Sequence, residues 1–257
     1  MSESTCDNNM DMYLSVVSPA YNESENLPQL VKEVSAALAA LGKSWEFIVV
    51  NDASQDNSLN ILQQMRQEYP QLRTLSLCRR SGQTAALDAG LRHARGRLIA
   101  MLDADLQNDP QDIIQMLQPI EAGRCDMVSG WRRDRNDPWL RLVSTRVANA
   151  VRNWLTHEQV HDSASGLKVF RRACIADIRL FNGMHRFLPT LVRLEGYRVM
   201  ELPVRHRPRN AGQAKYGVWN RVFKALRDTF AVRWMQSRHL HYEIREDSIS
   251  KTNCLNK

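Results

Sequence analysis

An apolar run, "LIAML" from Leu98 to Leu102, ends abruptly in two carboxylates, Asp103 and Asp105, and Asp109-Pro110 then opens an amphipathic segment. A buried strand that delivers both acids to its C-terminal end puts them where open α/β sheets bind ligands. Two hard oxygen donors suit Mg2+ or Mn2+, ions usually held by one or two carboxylates together with substrate phosphates. The competing reading is an acidic loop that caps a helix N-terminus, which the helix dipole favours.

The same alternation recurs along the first half. Leu14–Val17, Phe47–Val50, Arg73–Cys78 and Asp126–Gly130 read as further strands. Leu27, Leu30, Val31, Val34, Leu38 and Leu41, and later Leu59, Leu62 and Met65, recur at helical spacing. Gly82–Ala94 is a small-residue-rich helix, and Pro110 suits the first turn of the helix carrying Ile113, Ile114, Leu117 and Ile120. This pattern predicts an α/β fold with a mostly parallel central sheet and helices on both faces. Beyond Arg135 the chain turns basic: Trp139–Leu155 is an amphipathic helix, Leu167–Phe170 and Val199–Val204 are strands, and Ala173–Ile178, Phe187–Leu194 and Val218–Trp234 are helices. Arg205–Gly217 reads as a basic, glycine-flexed loop that closes over a ligand. We expect a flexible lead at 1–12, one domain at 13–242 with halves at 13–134 and 135–242, and a polar tail at 243–257.

No stretch approaches 18 uninterrupted apolar residues, so no spanning helix is expected. The N-terminus lacks the basic and apolar regions of a signal peptide, and five scattered cysteines read as reduced thiols in the cytosol. The net charge of +7 is concentrated in the arginine-rich second half, a surface that attracts polyanions, anionic membranes or phosphorylated ligands. No helix-turn-helix, zinc finger or RNA-binding sheet is recognisable, so no nucleic-acid partner is expected. Neither G-x-G-x-x-G after the first strand nor G-x-x-x-x-G-K-[ST] occurs, which removes a dinucleotide site and a P-loop.

Polar groups follow four successive strands: Pro19, Tyr21, Asn22 and Glu23; Asn51 and Asp52; Arg79 and Arg80; Asp103 and Asp105. In a parallel sheet all of these open on one edge. Asp52 suits a base N–H or a ribose hydroxyl, or else caps the following helix. Arg80 suits a diphosphate, or else a surface ion pair.

The chain resembles the family 2 glycosyltransferases of GT-A (Rossmann-like) fold, and among them the dolichyl- and polyprenyl-phosphate sugar synthases. The resemblance rests on "SPAYNESEN" (Ser18–Asn26), "VVNDASQDNS" (Val49–Ser58), "RRSGQTAALDAGLRHARG" (Arg79–Gly96), "DADLQNDP" (Asp103–Pro110), "SGWR" (Ser129–Arg132), "DSASGLKVFRR" (Asp162–Arg172), "HRFLP" (His185–Pro189) and "VRHRPRNAGQAKYG" (Val204–Gly217). It implies that Pro19, Tyr21, Glu23 and Asp52 surround the nucleoside. Asp103 would lie near the ribose or the metal, Asp105 and Gln107 would face metal and diphosphate, and Asp162 would stand at the reaction centre. Two features depart from the family. Asn51-Asp52 replaces the paired acids common in relatives, and C-terminal membrane helices are not evident.

The implied reaction transfers a sugar, with inversion, from a UDP- or GDP-linked donor to a polyprenyl phosphate, with Mg2+ or Mn2+ as cofactor. A phosphate monoester needs a cationic cradle rather than a base. The candidates are Arg132, Lys168, Arg172, Arg186, Arg205, Arg207, Arg209 and Lys215, foremost Arg132, Arg205 and Lys215. Candidate catalytic groups are thus Asp162, Asp105 and Arg132, while His185 reads as a packing or hydrogen-bonding residue rather than a base. The alternatives are a same-fold enzyme acting on a saccharide or lipid-linked glycan hydroxyl, with Asp162 as base, and a non-catalytic sugar-nucleotide-binding protein. Apolar stripes edged by arginine, from Trp139 to Leu155 and again at Phe223, Leu226, Phe230 and Trp234, fit helices lying in a membrane interface. They place the protein at the cytoplasmic face of the inner membrane, with a membrane-embedded partner or a homo-oligomer as further expectations.

Overall fold

The computed structural model describes residues 12–132, 161–162, 165–208 and 218–240, the last segment with side chains from residue 226 onward. The expected helix Trp139–Leu155, the loop residues Arg209, Gly212, Lys215 and Gly217, the N-terminal lead to residue 11 and the tail from residue 241 lie outside the described residues.

Four strand–helix units come first: β1 (Leu14–Ala20) with α1 (Leu27–Ala39), β2 (Trp45–Asn51) with α2 (Ser58–Glu68), β3 (Leu72–Ser76) with α3 (Gln83–His93), and β4 (Leu98–Met101) with α4 (Asp112–Glu121). After them come β5 (Met127–Trp131), β6 (Lys168–Arg171), α5 (Leu188–Leu194), β7 (Val199–Pro203) and α6 (Val218–Arg238). They form one seven-stranded sheet in the order β3-β2-β1-β4-β6-β5-β7. β6 alone runs antiparallel to its neighbours, β4 and β5, and every other pairing is parallel. The expected mostly parallel sheet is therefore observed.

Alternation along each strand divides the core in two, as the pleat requires. Leu14, Val16, Phe47, Val49, Leu98, Ala100 and Val169 join one cluster with α1, α2 and α4. Val17, Ile48, Val50, Ile99, Met101 and Phe170 face the other cluster, with α3, α5 and Val232 of α6. With both faces covered, the central strands read as largely apolar runs. Two glycines permit close approach. A Cβ on Gly90 would fall 2.4 Å from Val17 Cγ1 under α3, and one on Gly96 would fall 2.4 Å from the Ser15 backbone nitrogen.

Two boundaries differ from the sequence expectation. α4 begins at Asp112 rather than at Pro110, because the Asp109 carboxylate accepts from Gln111 N–H (3.0 Å) and backbone bonds Asp112 to Asp109 and Ile113 to Pro110 close a tighter turn first. The expected helix at Ala173–Ile178 is a single 3-10 turn, Arg172–Ile175.

Candidate active site

The C-terminal ends of β1, β2 and β4 supply the site, and their loops are strained. Asn22 (φ 51°), Ala53 (φ 52°) and Leu106 (φ 60°) are the non-glycine residues with positive φ among those described, one after each of these strands. Such conformations persist only where surrounding contacts over-determine them. Asn22 and Asn51 provide some of those contacts. Ser54 Oγ accepts from Asn22 N–H (2.9 Å), Asn22 Oδ1 from Gln55 N–H (2.8 Å), and Asn51 Oδ1 from Ser54 N–H (3.1 Å).

The loops enclose a cavity of about 280 Å³ lined by Pro19, Tyr21, Glu23, Asp52, Arg80, Gly82, Gln83, Asp103 and Asp105. The Arg80 guanidinium lies over the Tyr21 ring, 4.1 Å from its centroid, a cation–π contact that forms one wall. Asp52 does not cap its own following helix. Its two oxygens accept from Ser81 N–H (2.6 Å) and Gly82 N–H (2.8 Å), which ties β2 to the start of α3. Gln107 stays outside the cavity lining, and its backbone N–H reaches Asp105 Oδ1 at 3.3 Å.

Asp103 keeps part of its surface open to the cavity, yet its carboxyl is pushed up to about 6, first by burial and then by the neighbouring Asp105 charge. Lys168, Arg132 and a 3.0 Å hydrogen bond from Gln83 Nε2 oppose that shift. Gly166 packs directly on this carboxylate: a Cβ there would lie 1.9 Å from Asp103 Oδ2. Two like charges at the end of one strand fit a divalent cation, which would relieve their repulsion. No third His, Cys, Asp or Glu completes a metal cluster among the described residues, so the remaining ligands would come from substrate phosphate and water.

Beside this pair, Arg132 at the end of β5 grips Asp162 in a two-pronged ion pair. Nε donates to Oδ2 at 2.7 Å and Nη2 to Oδ1 at 2.9 Å, and both side chains are largely buried. Lys168 is buried and donates to the Ser165 carbonyl. Thr84 Oγ1 accepts from Gly183 N–H (2.9 Å) and shares a 2.7 Å hydrogen bond with His185 Nδ1. Burial, with Arg186 and Lys168 nearby, pushes the His185 imidazole down to about 3, so it is neutral at pH 7 and a weak base.

Several expected cradle cations are committed elsewhere. Arg205 pairs with Asp109 (3.1 Å) and Asp112 (2.9 Å), and Arg207 with Asp109 (3.0 Å) and Glu33 (2.7 Å). These pairs, the Asn108–His206 bridge and a 2.8 Å bond from Arg207 N–H to the Gln107 carbonyl pin the start of the basic segment to the Asp105 loop. Arg186 pairs with Asp228 (3.4 Å) of α6. Arg172 leaves at the opposite sheet edge, because the antiparallel β6 sets Lys168 against Met101 and Arg171 against Leu98. Lys215 lies outside the described residues. The sequence reading missed Gln83 and Thr84 as contributors, and gave Gly166 no task.

Residues 15–179 match glycosyl transferase family 2. The chain belongs to that family. It is 39% identical over 223 residues to dodecaprenyl-phosphate galacturonate synthase of Rhizobium johnstonii, covering 85% of this chain and 66% of the relative. It is 35% identical over 208 residues to undecaprenyl-phosphate 4-deoxy-4-formamido-L-arabinose transferase of Edwardsiella ictaluri, covering 80% and 63%. The chain thus spans just under two thirds of the length of these curated relatives. Among solved structures, glucosyl-3-phosphoglycerate synthase of Mycobacterium tuberculosis aligns with TM-score 0.64 at 19% identity, covering 90% of this chain and 81% of that one. A mannosyltransferase of Pyrobaculum calidifontis, solved with GDP-Man and Mn2+, aligns with TM-score 0.60 at 21% identity, covering 86% and 64%. These likenesses establish the GT-A fold.

The contact of Gly166 with Asp103 makes a prediction. Gly166→Ala is expected to destabilise the protein by about 1–3 kcal/mol, the scale of overpacking. In an Asp103→Ala background the added methyl finds the space the carboxylate left, so most of that loss should disappear. Urea denaturation of the four proteins measures the cycle, and equal losses in both backgrounds would disprove the contact.

Proposed function

We propose that the protein is a metal-dependent, inverting glycosyltransferase that moves a sugar from a UDP- or GDP-linked donor to a polyprenyl phosphate. The observation that carries this reading is the meeting of the β1 and β2 junction residues with Asp103 and Asp105 in one cavity, in a chain of this family. The acceptor class is supported by the relatives, which are named for dodecaprenyl and undecaprenyl phosphate.

In this reading Tyr21, Glu23 and Asp52 line the nucleoside side of the cavity, and Arg80 faces the diphosphate from its place over Tyr21. Asp105 and Asp103 would hold Mg2+ or Mn2+. When bound, such a cation compensates charge on the departing nucleoside diphosphate. A phosphate monoester has a second pKa near ~6 and is largely dianionic at neutral pH, so it attacks without a protein base. Arg132, held by Asp162, and Lys168 both lie near enough to Asp103 to oppose the rise of its carboxyl pKa, and we assign Arg132 to meet that phosphate beside its pair with Asp162. A hydroxyl acceptor would need a base. Asp162 is engaged with Arg132 and His185 is pushed down to about 3, which favours the phosphate reading.

The enzyme is expected to turn over undecaprenyl phosphate with one member of a UDP- and GDP-sugar panel, making an organic-extractable product. Turnover with undecaprenol should be at least ~10²-fold lower, since a hydroxyl gains about that much from a general base. Equal use of the alcohol would overturn the acceptor assignment.

For location, we propose peripheral attachment to the cytoplasmic face of the inner membrane. No helix among the described residues is long and apolar enough to cross a membrane. α6 packs inward through Asp228, Thr229 and Val232 and turns Leu226, Phe230 and Trp234 outward, the last two 59% and 65% exposed. Arg227 and Arg238 are exposed on the same helix. An apolar ridge edged by cations suits an anionic bilayer surface, where each basic residue contributes about 1 kcal/mol that salt weakens. Flotation with anionic liposomes should capture the protein at low salt, and Phe230→Ser with Trp234→Ser should reduce capture without shifting the melting transition. A folded double variant that floats fully would remove α6 from this role.

A further inference from the structure

We infer that Glu201 is a positioning residue for Asp162 and, through it, for Arg132. His161 and Asp162 themselves lie in neither strand nor helix, yet the Asp162 carboxylate meets the Arg132 fork with both oxygens. Orientation of that quality needs a support on a rigid element. β7 provides one: Glu201 lies beside Ser129 of β5 in a parallel pair, two positions before the Trp131–Pro203 pair that ends the ladder.

The Glu201 carboxylate acts as a clamp on the two residues that carry the ion pair. Oε1 accepts from the backbone N–H groups of His161 (3.1 Å) and Asp162 (3.2 Å), and Oε2 accepts from His161 N–H (3.1 Å) and contacts His161 Nδ1 (2.8 Å). From the adjacent strand the Trp131 ring stacks on the His161 ring, with centroids 4.6 Å apart and planes 26° apart. His161 is therefore held by carboxylate and indole from two neighbouring strands, and the Asp162 backbone is fixed immediately after it. Hydrogen bonds from backbone N–H to an ionised carboxylate are the strong kind. Glu201 keeps only 11% side-chain exposure, so those donors offset the cost of withdrawing its charge from water. Arg132 directly follows Trp131, the last residue of β5, so two adjacent residues supply the stacking ring and the guanidinium that Asp162 receives.

The inference rests on the proposed role of the Arg132–Asp162 pair at the acceptor phosphate, and the test separates the two. Turnover would be measured with undecaprenyl phosphate and the donor selected from the UDP- and GDP-sugar panel. Glu201→Ala should lower kcat/KM for undecaprenyl phosphate about tenfold, less than the ~10²-fold that an ångström of misplacement can cost. KM for the donor should stay within about twofold. Glu201→Gln retains an acceptor oxygen for the two backbone N–H groups and should recover most of the activity. In an Asp162→Asn background Glu201→Ala should cost nothing further, because the group it positions is already disabled. Should Glu201→Ala fail to fold, Glu201→Asp, which retracts the carboxylate by one methylene, carries the same expectations. An equal loss in both backgrounds, a folded Glu201→Ala with unchanged turnover, or a Gln variant as impaired as the Ala variant would overturn the inference. Wild-type turnover in Asp162→Asn alone would overturn the underlying reading, and this inference with it.

Discussion

Two like charges at the end of one buried strand are the constraint around which this molecule is arranged. β4 carries Asp103 and Asp105 out of the core at its C-terminal edge, and protein packed around Asp103 pushes its carboxyl up to about 6. Left alone, such a pair would take up a proton or swing apart into water. The fold holds the first of the two acids, Asp103, in place and brings positive charge to it. Gln83 at the start of α3 holds one Asp103 oxygen, Gly166 presses on the other, and Lys168 and Arg132 bring positive charge from β6 and β5. The acids are thus kept together and open to a cavity, the condition under which a cation could be taken up together with phosphate.

Meeting that condition explains why the second half of the chain crosses back into the sheet. β6 is inserted antiparallel between β4 and β5, so its beginning, not its end, reaches the Asp103 edge. Ser165, Gly166 and Lys168 are delivered there for that reason, and Arg132 meets Asp162 alongside. The loops beyond β1, β2 and β4 carry the positive-φ residues Asn22, Ala53 and Leu106; distant segments brace the first and third loops, and Asn51 braces the second from within. Strain concentrated on one edge is the mark of a preorganised site.

Much of this was legible in the sequence. Strands buried on both faces show as largely apolar runs, broken in β1 only by the buried Ser15 and Ser18, so β1, β2 and β4 and the polar groups after them could be read directly. Pro19, Tyr21, Glu23, Asp52, Arg80, Asp103 and Asp105 do converge on one cavity. What an apolar run does not encode is strand direction, and Arg172 was therefore expected at the wrong edge. Partners far apart in sequence were equally hidden. Arg205 finds Asp112 across 93 residues, His185 finds Thr84 across 101, and Asp162 finds Glu201 across 39. Two of these pairings change a role, Arg205 becoming a loop anchor and Glu201 a support for the ion pair, while His185 keeps the hydrogen-bonding role read from the sequence.

The central claim is that Asp103 and Asp105 form a seat for a divalent cation bound together with a nucleoside diphosphate. Calorimetric titration of UDP and of GDP, each with Mn2+ and again in excess chelator, tests it without knowledge of the sugar. The account predicts that one nucleotide binds with Mn2+ and loses at least about tenfold in affinity, about 1.4 kcal/mol, when the metal is removed. It also predicts that Asp105→Asn removes the metal dependence. Equal affinity in Mn2+ and in chelator would contradict the account.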